Sequence, residues 1–566
     1  MIRILACLVL LLAGAPALAQ SGAQSGSRDF PLAINLAEVN DWSAEQPFID
    51  VFKTARRWIG HKPGQWGGVE FEELEERGLL DARGWPTSVP HDLGSIGTLI
   101  LTDLPAEAEV YAGRYVLSFD GEGIVEVGGA ASNVRYGEGR VAFDFTPQIG
   151  GMVLVKIQRS DPMKTGDYVR NITVVREEHQ EAFANGAVFN PLWLDHMRGF
   201  KVLRFMDWMH TNNSDQQSWD TRPKPDDFSY TRHGVPPEVM IALANELGAD
   251  PWFCMPHLAD DTYQRRFAEM ALARLDPGLK AYVEYSNEVW NWQFSQAEWT
   301  ETQAQERWGQ RYKGQDYYGM KFARMAQTWA DVFSDARDRL VTVIATQTGW
   351  LGLERPILDA PLWVAEGNEP PHTFADAYAI TGYFGSYLGR DEMRDITLGK
   401  IAESTQAAEA DARQQGLTGE ALAAHVAAHR FDMATDWAVD ALTDSRQYGD
   451  EFDGLDRATG TFFPYQADIA REYGLDLIVY EGGTHIVGVG AQVGDDTLTA
   501  FFTHLNYTPE IASLYRTLFE KWAEVSDGPF TLFNDVNVPM KWGSWGHLRH
   551  LGDADNPRWQ VVEEFK

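Results

Sequence analysis

Two glutamates, each at the end of a strand-like apolar run, are the residues of this chain best suited to chemistry. Glu288 lies in the segment AYVEYSNEVWN (281–291), and Glu481 lies in the segment LDLIVYEGGTH (475–485). Two carboxyl groups that face one pocket can cleave a glycosidic bond, because one protonates the leaving oxygen while the other attacks the anomeric carbon or activates water. A single glutamate at a strand end is more often solvated or ion-paired. The hypothesis of catalysis therefore depends on one fold placing both residues together.

The elements that must position the two glutamates alternate between helices and strands from about residue 190 onward. Helical segments at 236–247, 263–275 and 295–335 separate strand-like runs. Such alternation predicts a parallel sheet with helical crossovers, and eight strands are the number that a (β/α)8 TIM barrel requires. The predicted strands are 33–39, 201–208, 251–258, 280–288, 339–347, 377–384, 475–481 and 530–534. Glu288 then ends the fourth strand and Glu481 ends the seventh.

The segment between the first and second predicted strands has a different character. Short alternating strands separated by glycine-rich turns predict an inserted antiparallel β-sandwich. The predicted division of the chain is 31–60 for the first barrel strand and following helix, 61–180 for the inserted β-sandwich domain, and 181–566 for the remainder of the barrel, with a helical insertion at about 390–456. The alternative is a separate N-terminal domain ahead of a barrel whose first strand lies elsewhere.

The N-terminus has the pattern of a bacterial export signal. Arg3 precedes an apolar run at 4–13, and Ala17-Leu-Ala19 supplies a small-residue cleavage pattern. We expect residues 1–19 to be a signal peptide, residues 20–30 to be a flexible spacer, and the mature protein to be periplasmic or extracellular without a membrane anchor. Cys254 is then the only remaining cysteine, which excludes an intrachain disulfide and favours a packed side chain.

Charge and missing motifs exclude several classes of function. The formal net charge is -34 and no segment is rich in Lys and Arg, which argues against nucleic acid and anionic membranes as partners. A neutral oligosaccharide or polysaccharide fits better, unless a local basic pocket binds an anion. The motifs HExxH, GxSxG, the P-loop and a strand-to-helix GxGxxG are not present. The pair Asp260-Asp261 is more typical of a solvated loop than of a metal site, so no metal and no cofactor are expected.

In their order and strand placement, Asn287-Glu288 and Glu481 resemble the clan A glycoside hydrolases, and the layout is similar to glycoside hydrolase family 5. The resemblance covers roughly residues 30–60 and 185–550. It implies that Glu288 is the acid/base and Glu481 the nucleophile of a retaining reaction. It also implies that Arg204, on the second strand, lies beside the nucleophile, where a guanidinium would lower the pKa of Glu481 and keep this carboxyl ionised.

The same resemblance implies substrate-binding roles for further residues. Asn287 would bind the sugar 2-hydroxyl, while His257 and Tyr383 would orient the substrate or the nucleophile. Trp542 or Trp545, after the eighth strand, would form the floor beneath the sugar. Packing competes with several of these roles, since His257 could be a core histidine and Arg204 a structural ion-pair partner.

Other polar and aromatic side chains near strand ends have structural interpretations as well. Glu284 has the same strand parity as Glu288 but lies deeper, which favours a buried ion pair over catalysis. Trp208, Trp290, Trp292 and Trp350 could line sugar subsites, although packing is the more common role of any one of them.

These observations together predict an exported retaining glycosidase that cleaves a neutral glycan, with the β-linkage implied by the resemblance. One alternative is a non-catalytic carbohydrate-binding protein on the same barrel, for which loss of one carboxylate would be the expected signature. Another alternative is a surface scaffold in which the β-sandwich is the working part. The sugar, endo or exo action and the oligomeric state stay open at this stage.

Overall fold

The computed structural model describes residues 30–449 and 452–566. The predicted signal peptide and all but the last residue of the predicted spacer lie outside this part of the chain.

Eight parallel strands form a closed barrel. The first strand, Leu32–Asn35, pairs with the second, Val202–Arg204, and with the eighth, Phe530–Leu532, and these pairings close the sheet. The strands between them are Asp250–Met255, Ala281–Tyr285, Leu340–Ala345, Ala377–Phe384 and Asp476–Thr484, numbered three to seven in chain order. The predicted (β/α)8 barrel and the positions of its eight strands are confirmed.

The barrel strands are apolar because helices cover their outer faces and side chains fill the interior. All four residues of the first strand and all three of the second are buried. Asn35 and Arg204 are the polar members of these two strands, and a polar group at such a position must find partners inside the protein.

The helices that connect the strands begin and end where the sequence supplies caps. Asp260 accepts a hydrogen bond from the Tyr263 amide at the start of helix Asp261–Arg274, so Asp260 serves as an N-cap. Instead of the single helical region predicted at 295–335 there are two helices, Ser295–Trp308 and Gly314–Val332. Gly309, with a φ of 68°, terminates the first of them. The other helices between residues 190 and 390 are Pro191–Met197, Pro237–Leu247, Glu354–Asp359 and Pro361–Val364.

The predicted helical insertion between the sixth and seventh strands is present. It contains the helices Asp391–Gln414, Gly419–His429 and Asp432–Thr443. The helices that follow are Leu455–Arg457, Phe463–Tyr473, Asp496–Leu505, Pro509–Val525 and Pro557–Phe565. In the described part of the chain no helix is both long enough and apolar enough to cross a bilayer.

Two antiparallel sheets lie between the first and second barrel strands in chain order. The four-stranded sheet contains, in spatial order, Arg170–Arg176, Gly113–Asp120, Arg140–Phe145 and Ser132–Gly137. The five-stranded sheet contains Gly68–Val69, Ile59–His61, Ser95–Ile100, Val153–Ser160 and Gly123–Gly129. Two short helices, Phe71–Glu76 and Gln180–Ala184, accompany them. The antiparallel strands are confirmed, whereas their packing as a β-sandwich and the division into domains stay predictions.

An aromatic cluster joins this region to the barrel. Phe228, in the segment after the second barrel strand, has its ring centroid 5.5 Å from that of Trp58 and 6.0 Å from that of Trp85. Phe52 stacks on Trp85 at 5.9 Å. All four side chains are buried and belong to the same hydrophobic cluster as the barrel core. The two regions therefore share one core.

Candidate active site

Arg204 organises the polar interior at the carboxyl end of the barrel. Its guanidinium is fully buried and lies between the rings of Trp252 and Tyr480, with centroid distances of 5.3 and 5.1 Å. Its Nη1 donates to Glu481 Oε1 at 2.8 Å and to Asn35 Oδ1 at 3.1 Å. The two aromatic faces and these directed hydrogen bonds fix the plane of the guanidinium, which in turn fixes Glu481.

Glu481 accepts hydrogen bonds at both carboxyl oxygens. Arg204 binds Oε1, and the Tyr383 hydroxyl donates to Oε2 at 3.2 Å. Only 6% of the residue is exposed. The structure therefore brings three of the predicted site residues into one cluster.

Glu284 is the second carboxylate on Arg204. Both Nε and Nη2 of Arg204 donate to Glu284 Oε2, at 3.1 and 2.9 Å, and the Trp252 indole donates to the same oxygen at 2.9 Å. The Cys254 thiol is 3.4 Å from this oxygen as well. Glu284 is buried, as predicted, and its ion pair with Arg204 gives that arginine a structural role in addition to its contact with Glu481.

Glu288 lies beyond the end of the fourth strand and is only partly buried. The Tyr480 hydroxyl donates to its Oε1 at 3.1 Å, and the Asn291 side chain donates to its Oε2 at 2.8 Å. Its backbone φ is 41°, and that of Ser286 is 62°. Two left-handed non-glycine residues in three positions make a strained turn, which is typical of residues held for a function.

Asn287 connects this turn to the arginine. Its Oδ1 accepts from Arg204 Nη2 at 2.8 Å, and its Nδ2 donates to Asn212 Oδ1 at 3.1 Å. Gln296 holds the same turn from the following helix, since its side chain donates to Asn212 Oδ1 at 2.8 Å and to the Asn287 carbonyl at 2.9 Å. The amide of Asn287 is thereby oriented by two neighbours, with one Nδ2 hydrogen left over.

Tyr480 reaches Glu288 because the seventh strand is irregular. Consecutive residues of a regular strand point to opposite faces. The register between the sixth and seventh strands shifts between Ile380 and Thr381, and Val479 and Gly482 flank a second shift toward the eighth strand. Tyr480 and Glu481 consequently both contact Arg204, and Tyr480 also contacts Glu288.

A cleft of about 840 Å³ opens above this cluster and is lined by Glu288 and Tyr383. Trp292 and Trp350 also line it and are 62% and 56% exposed. Broad exposed indole faces in a cleft are suited to stacking on sugar rings. By contrast, the Trp208 and Trp290 side chains are buried, although Trp290 borders the cleft.

Burial raises the pKa of Glu481 to about 8. Arg204 lowers this pKa, while the charges of Glu288 and Asp207 add to the rise. The expected lowering of this pKa by Arg204 is therefore present, but burial outweighs it, so the expectation that Arg204 keeps Glu481 ionised at neutral pH is wrong. Burial also raises the pKa of both tyrosines, Tyr383 and Tyr480, well above its usual range, with the two glutamate charges as the next causes. Both hydroxyls stay protonated and remain donors.

The other predicted substrate-binding residues differ in their position relative to the glutamate network. The ring of Trp545 is 6.2 Å from that of Tyr383 and 5.0 Å from that of His485, which places Trp545 beside the cluster. Trp542 is 58% exposed and its carbonyl accepts a hydrogen bond from the Trp545 indole. His257 is buried against Trp299 at 5.4 Å, and burial lowers its pKa to about 4. Its contacts are those of a packed histidine outside the glutamate network.

Several site residues were not found from the sequence. Asn35, Tyr480 and Asn291 contact the arginine or the glutamates directly, and His485 lines the cleft. A polar residue within the apolar strand LAIN was the available signal for Asn35. Tyr480 had no such signal, because strict alternation assigns it to the outer face of the barrel.

No protein-family model matches the chain, and no curated protein sequence matches it. Among solved structures, one reported for two fungal beta-1,4-galactanases is similar, with 12% identity, coverage of 65% of this chain and 90% of that chain, and a TM-score of 0.29. A family 1 beta-glucosidase from Thermotoga maritima is similar at 12% identity, with coverage of 69% and 87% and a TM-score of 0.30. The same values hold for the Thermotoga maritima enzyme in complex with glucoimidazole. Similarity of this degree carries no conclusion about activity, and the barrel is assigned from its own strand pairing.

Proposed function

We propose that this protein is a retaining glycoside hydrolase, with Glu288 as acid/base and Glu481 as nucleophile. The observation that carries the proposal is one network that holds both carboxyl groups at the carboxyl end of the barrel. Arg204 and Tyr383 hold Glu481, and Tyr480 holds Glu288 at the wall of the cleft. Active sites of TIM barrels form at this end.

In the proposed reaction Glu288 donates its proton to the leaving oxygen while a carboxylate oxygen of Glu481 attacks the anomeric carbon. The glycosyl–enzyme ester is then hydrolysed by a water from which Glu288, now a base, removes a proton. Arg204 and Tyr383 hold the nucleophile in one orientation, which lowers the entropic cost of attack. The remaining Nδ2 hydrogen of Asn287 is available to the sugar 2-hydroxyl. No cofactor takes part.

The glycan is proposed to be β-linked, on the resemblance to clan A and to family 5. Export to the periplasm or the medium is also a proposal, because residues 1–19 lie outside the described part of the chain. The alternative of a non-catalytic binding protein on this barrel would be expected to lack one of the two carboxylates, and both are present.

Turnover of a panel of aryl β-glycosides and polysaccharides tests the proposal. We expect wild-type protein to release product with retained anomeric configuration, and Glu288→Gln and Glu481→Gln each to reduce kcat by about 100-fold or more. Glu269→Gln, at an exposed position on helix Asp261–Arg274, is the matched control and should retain full activity. Binding of glycans without turnover by wild-type protein would favour the carbohydrate-binding alternative. Unchanged turnover in both variants would contradict the assignment of the two glutamates.

A further inference from the structure

Two arginines line the same cleft as Glu288, and the proposed reaction does not use them. Arg390 follows the sixth strand at the start of the helical insertion, and Arg457 ends the short helix Leu455–Arg457. Arg390 is exposed and Arg457 is half-buried. Both therefore present positive charge to whatever occupies the cleft.

Each guanidinium is placed by an aromatic ring of its own segment. Arg390 lies over Tyr387 at 5.5 Å, and Arg457 lies over Phe462 at 5.3 Å. Within residues 30–449 and 452–566, neither side chain forms an ion pair with a carboxylate. Stacking uses the face of a guanidinium and leaves its N–H edge for a ligand.

The acidic side chains among the described residues that line the cleft are already engaged in hydrogen bonds. Asp453 accepts hydrogen bonds at Oδ2 from the Ser386 amide and hydroxyl, at 3.0 and 2.6 Å, and at Oδ1 from the Tyr387 amide at 2.8 Å. Glu288 is held by Tyr480 and Asn291, as described above. His485 also lines the cleft, and burial lowers its pKa, so this ring is neutral at physiological pH. Among the described residues that line the cleft, the two arginines are thus the cationic groups available to a ligand.

We propose that Arg390 and Arg457 bind the carboxylate or sulfate group of an acidic sugar in the substrate. A guanidinium edge matches the paired oxygens of these groups and forms charge-assisted hydrogen bonds with them, whereas a neutral sugar offers only hydroxyls. The inference rests on the proposed glycosidase function for the nature of the ligand. An acidic sugar takes the place of the neutral glycan that the net charge of -34 led us to expect. The reason is that two local cations can determine which ligand binds at short range, whatever the net charge of the whole protein.

Calorimetric binding to Glu288→Gln protein, in which turnover is blocked, tests the proposal with three sets of oligosaccharides of matched length. One set is neutral, one contains uronic acids and one is sulfated. We expect one acidic set to bind about ten-fold or more tightly than the neutral set, and its identity assigns the anion. Adding Arg390→Gln and Arg457→Gln together should weaken acidic binding by about 10- to 100-fold and neutral binding by less than about two-fold. The preference should also decrease with added salt.

Two further variants separate charge from structure. Arg390→Lys with Arg457→Lys keeps the charge without the planar fork and should retain part of the acidic preference. Arg266→Gln, at an exposed position on helix Asp261–Arg274, should bind all sets as the parent does. Equal affinity for the three sets, equal loss of neutral and acidic binding, or no binding of any set would overturn the inference.

Turnover by otherwise wild-type enzyme distinguishes failure of this inference from failure of the proposed function. Arginine-dependent binding of acidic glycans without any turnover would contradict the glycosidase and leave the anion subsite standing. Turnover of glycans by the wild-type enzyme, together with acidic-glycan binding that both arginine substitutions leave unchanged, would leave the glycosidase standing and contradict the subsite.

Discussion

At the scale of residues, the charge balance around Arg204 determines how readily the buried carboxyl groups of the site ionise. One guanidinium binds two buried carboxyl groups, Glu284 and Glu481, so full ionisation would leave a net negative charge in the barrel interior. Burial raises the pKa of both carboxyl groups, and Arg204 opposes the rise. A proton is therefore retained between Glu284 and Glu481 more strongly than at ordinary glutamates.

The pH dependence of turnover should reflect this retained proton. The proposed nucleophile must be ionised, and burial raises the pKa of Glu481 to about 8. We expect ionisation of Glu481 to give kcat/KM a rising limb near pH 8, instead of near the ordinary value of 4.5, while the reaction still requires Glu288 in its protonated form. A pH–rate profile with the best aryl glycoside measures this limb. A plateau already present at pH 5 would contradict a protonated Glu481 in the free enzyme.

The raised pKa of Glu481 should also make the stability of the folded protein depend on pH, with stability decreasing as pH rises. The pKa of Glu481 rises from 4.5 in the unfolded chain to about 8 in the folded protein, so its contribution to stability is complete below 4.5 and is lost as pH rises through about 8. Glu481→Gln cannot ionise and escapes this loss. We expect its Tm to equal that of wild type near pH 5 and to exceed it by a few degrees near pH 9. Thermal melts at both pH values test this, with Glu269→Gln as a control that should show no such difference. A Tm gap that does not change with pH would contradict the linkage.

At the scale of elements, the irregular seventh strand determines which side chains enter the site. The sequence predicted this strand, on which Glu481 lies, because an apolar run between two helical segments is a local signal. It could not predict Tyr480, since the shift in register depends on pairing with the neighbouring strands. The choice between Trp542 and Trp545 was open for a similar reason. Only the folded loop after the eighth strand places Trp545 beside Tyr383.

Tyr480→Phe tests what the irregular strand contributes. The ring stays over Arg204, while the hydrogen bond from the hydroxyl to Glu288 is removed. Because Glu288 then has one fixed partner fewer, we expect kcat to fall about ten-fold, with KM and Tm little changed. Tyr282→Phe, on the fourth strand, is the control and should keep wild-type kcat, because its hydroxyl makes no hydrogen bond within the described residues. Wild-type kcat for Tyr480→Phe would show that the hydroxyl does not position the acid/base.

At the scale of the whole molecule, the barrel and the antiparallel sheets are joined by a shared core. The first barrel strand, Leu32–Asn35, precedes the antiparallel strands, and the second, Val202–Arg204, follows them. The order of strands along the sequence predicted this arrangement, because the barrel pattern resumes after the glycine-rich segment. The contact between the two regions could not be predicted, since Phe228 and Trp58 are far apart in sequence and give no local signal for their pairing.

Phe228→Ala should therefore destabilise the barrel and the antiparallel region together. The buried ring contacts Trp58 and Trp85, and its removal leaves a cavity between the barrel segment and the antiparallel region. We expect a loss of about 3–5 kcal/mol in the free energy of unfolding, and a single calorimetric transition that moves to lower temperature together with the loss of turnover on heating. Ile149→Ala, at a position that is 80% exposed, is the control and should change stability by less than about 0.5 kcal/mol. An early, separate transition that leaves turnover intact would mean that the antiparallel region unfolds without the barrel, and would contradict a shared cooperative core.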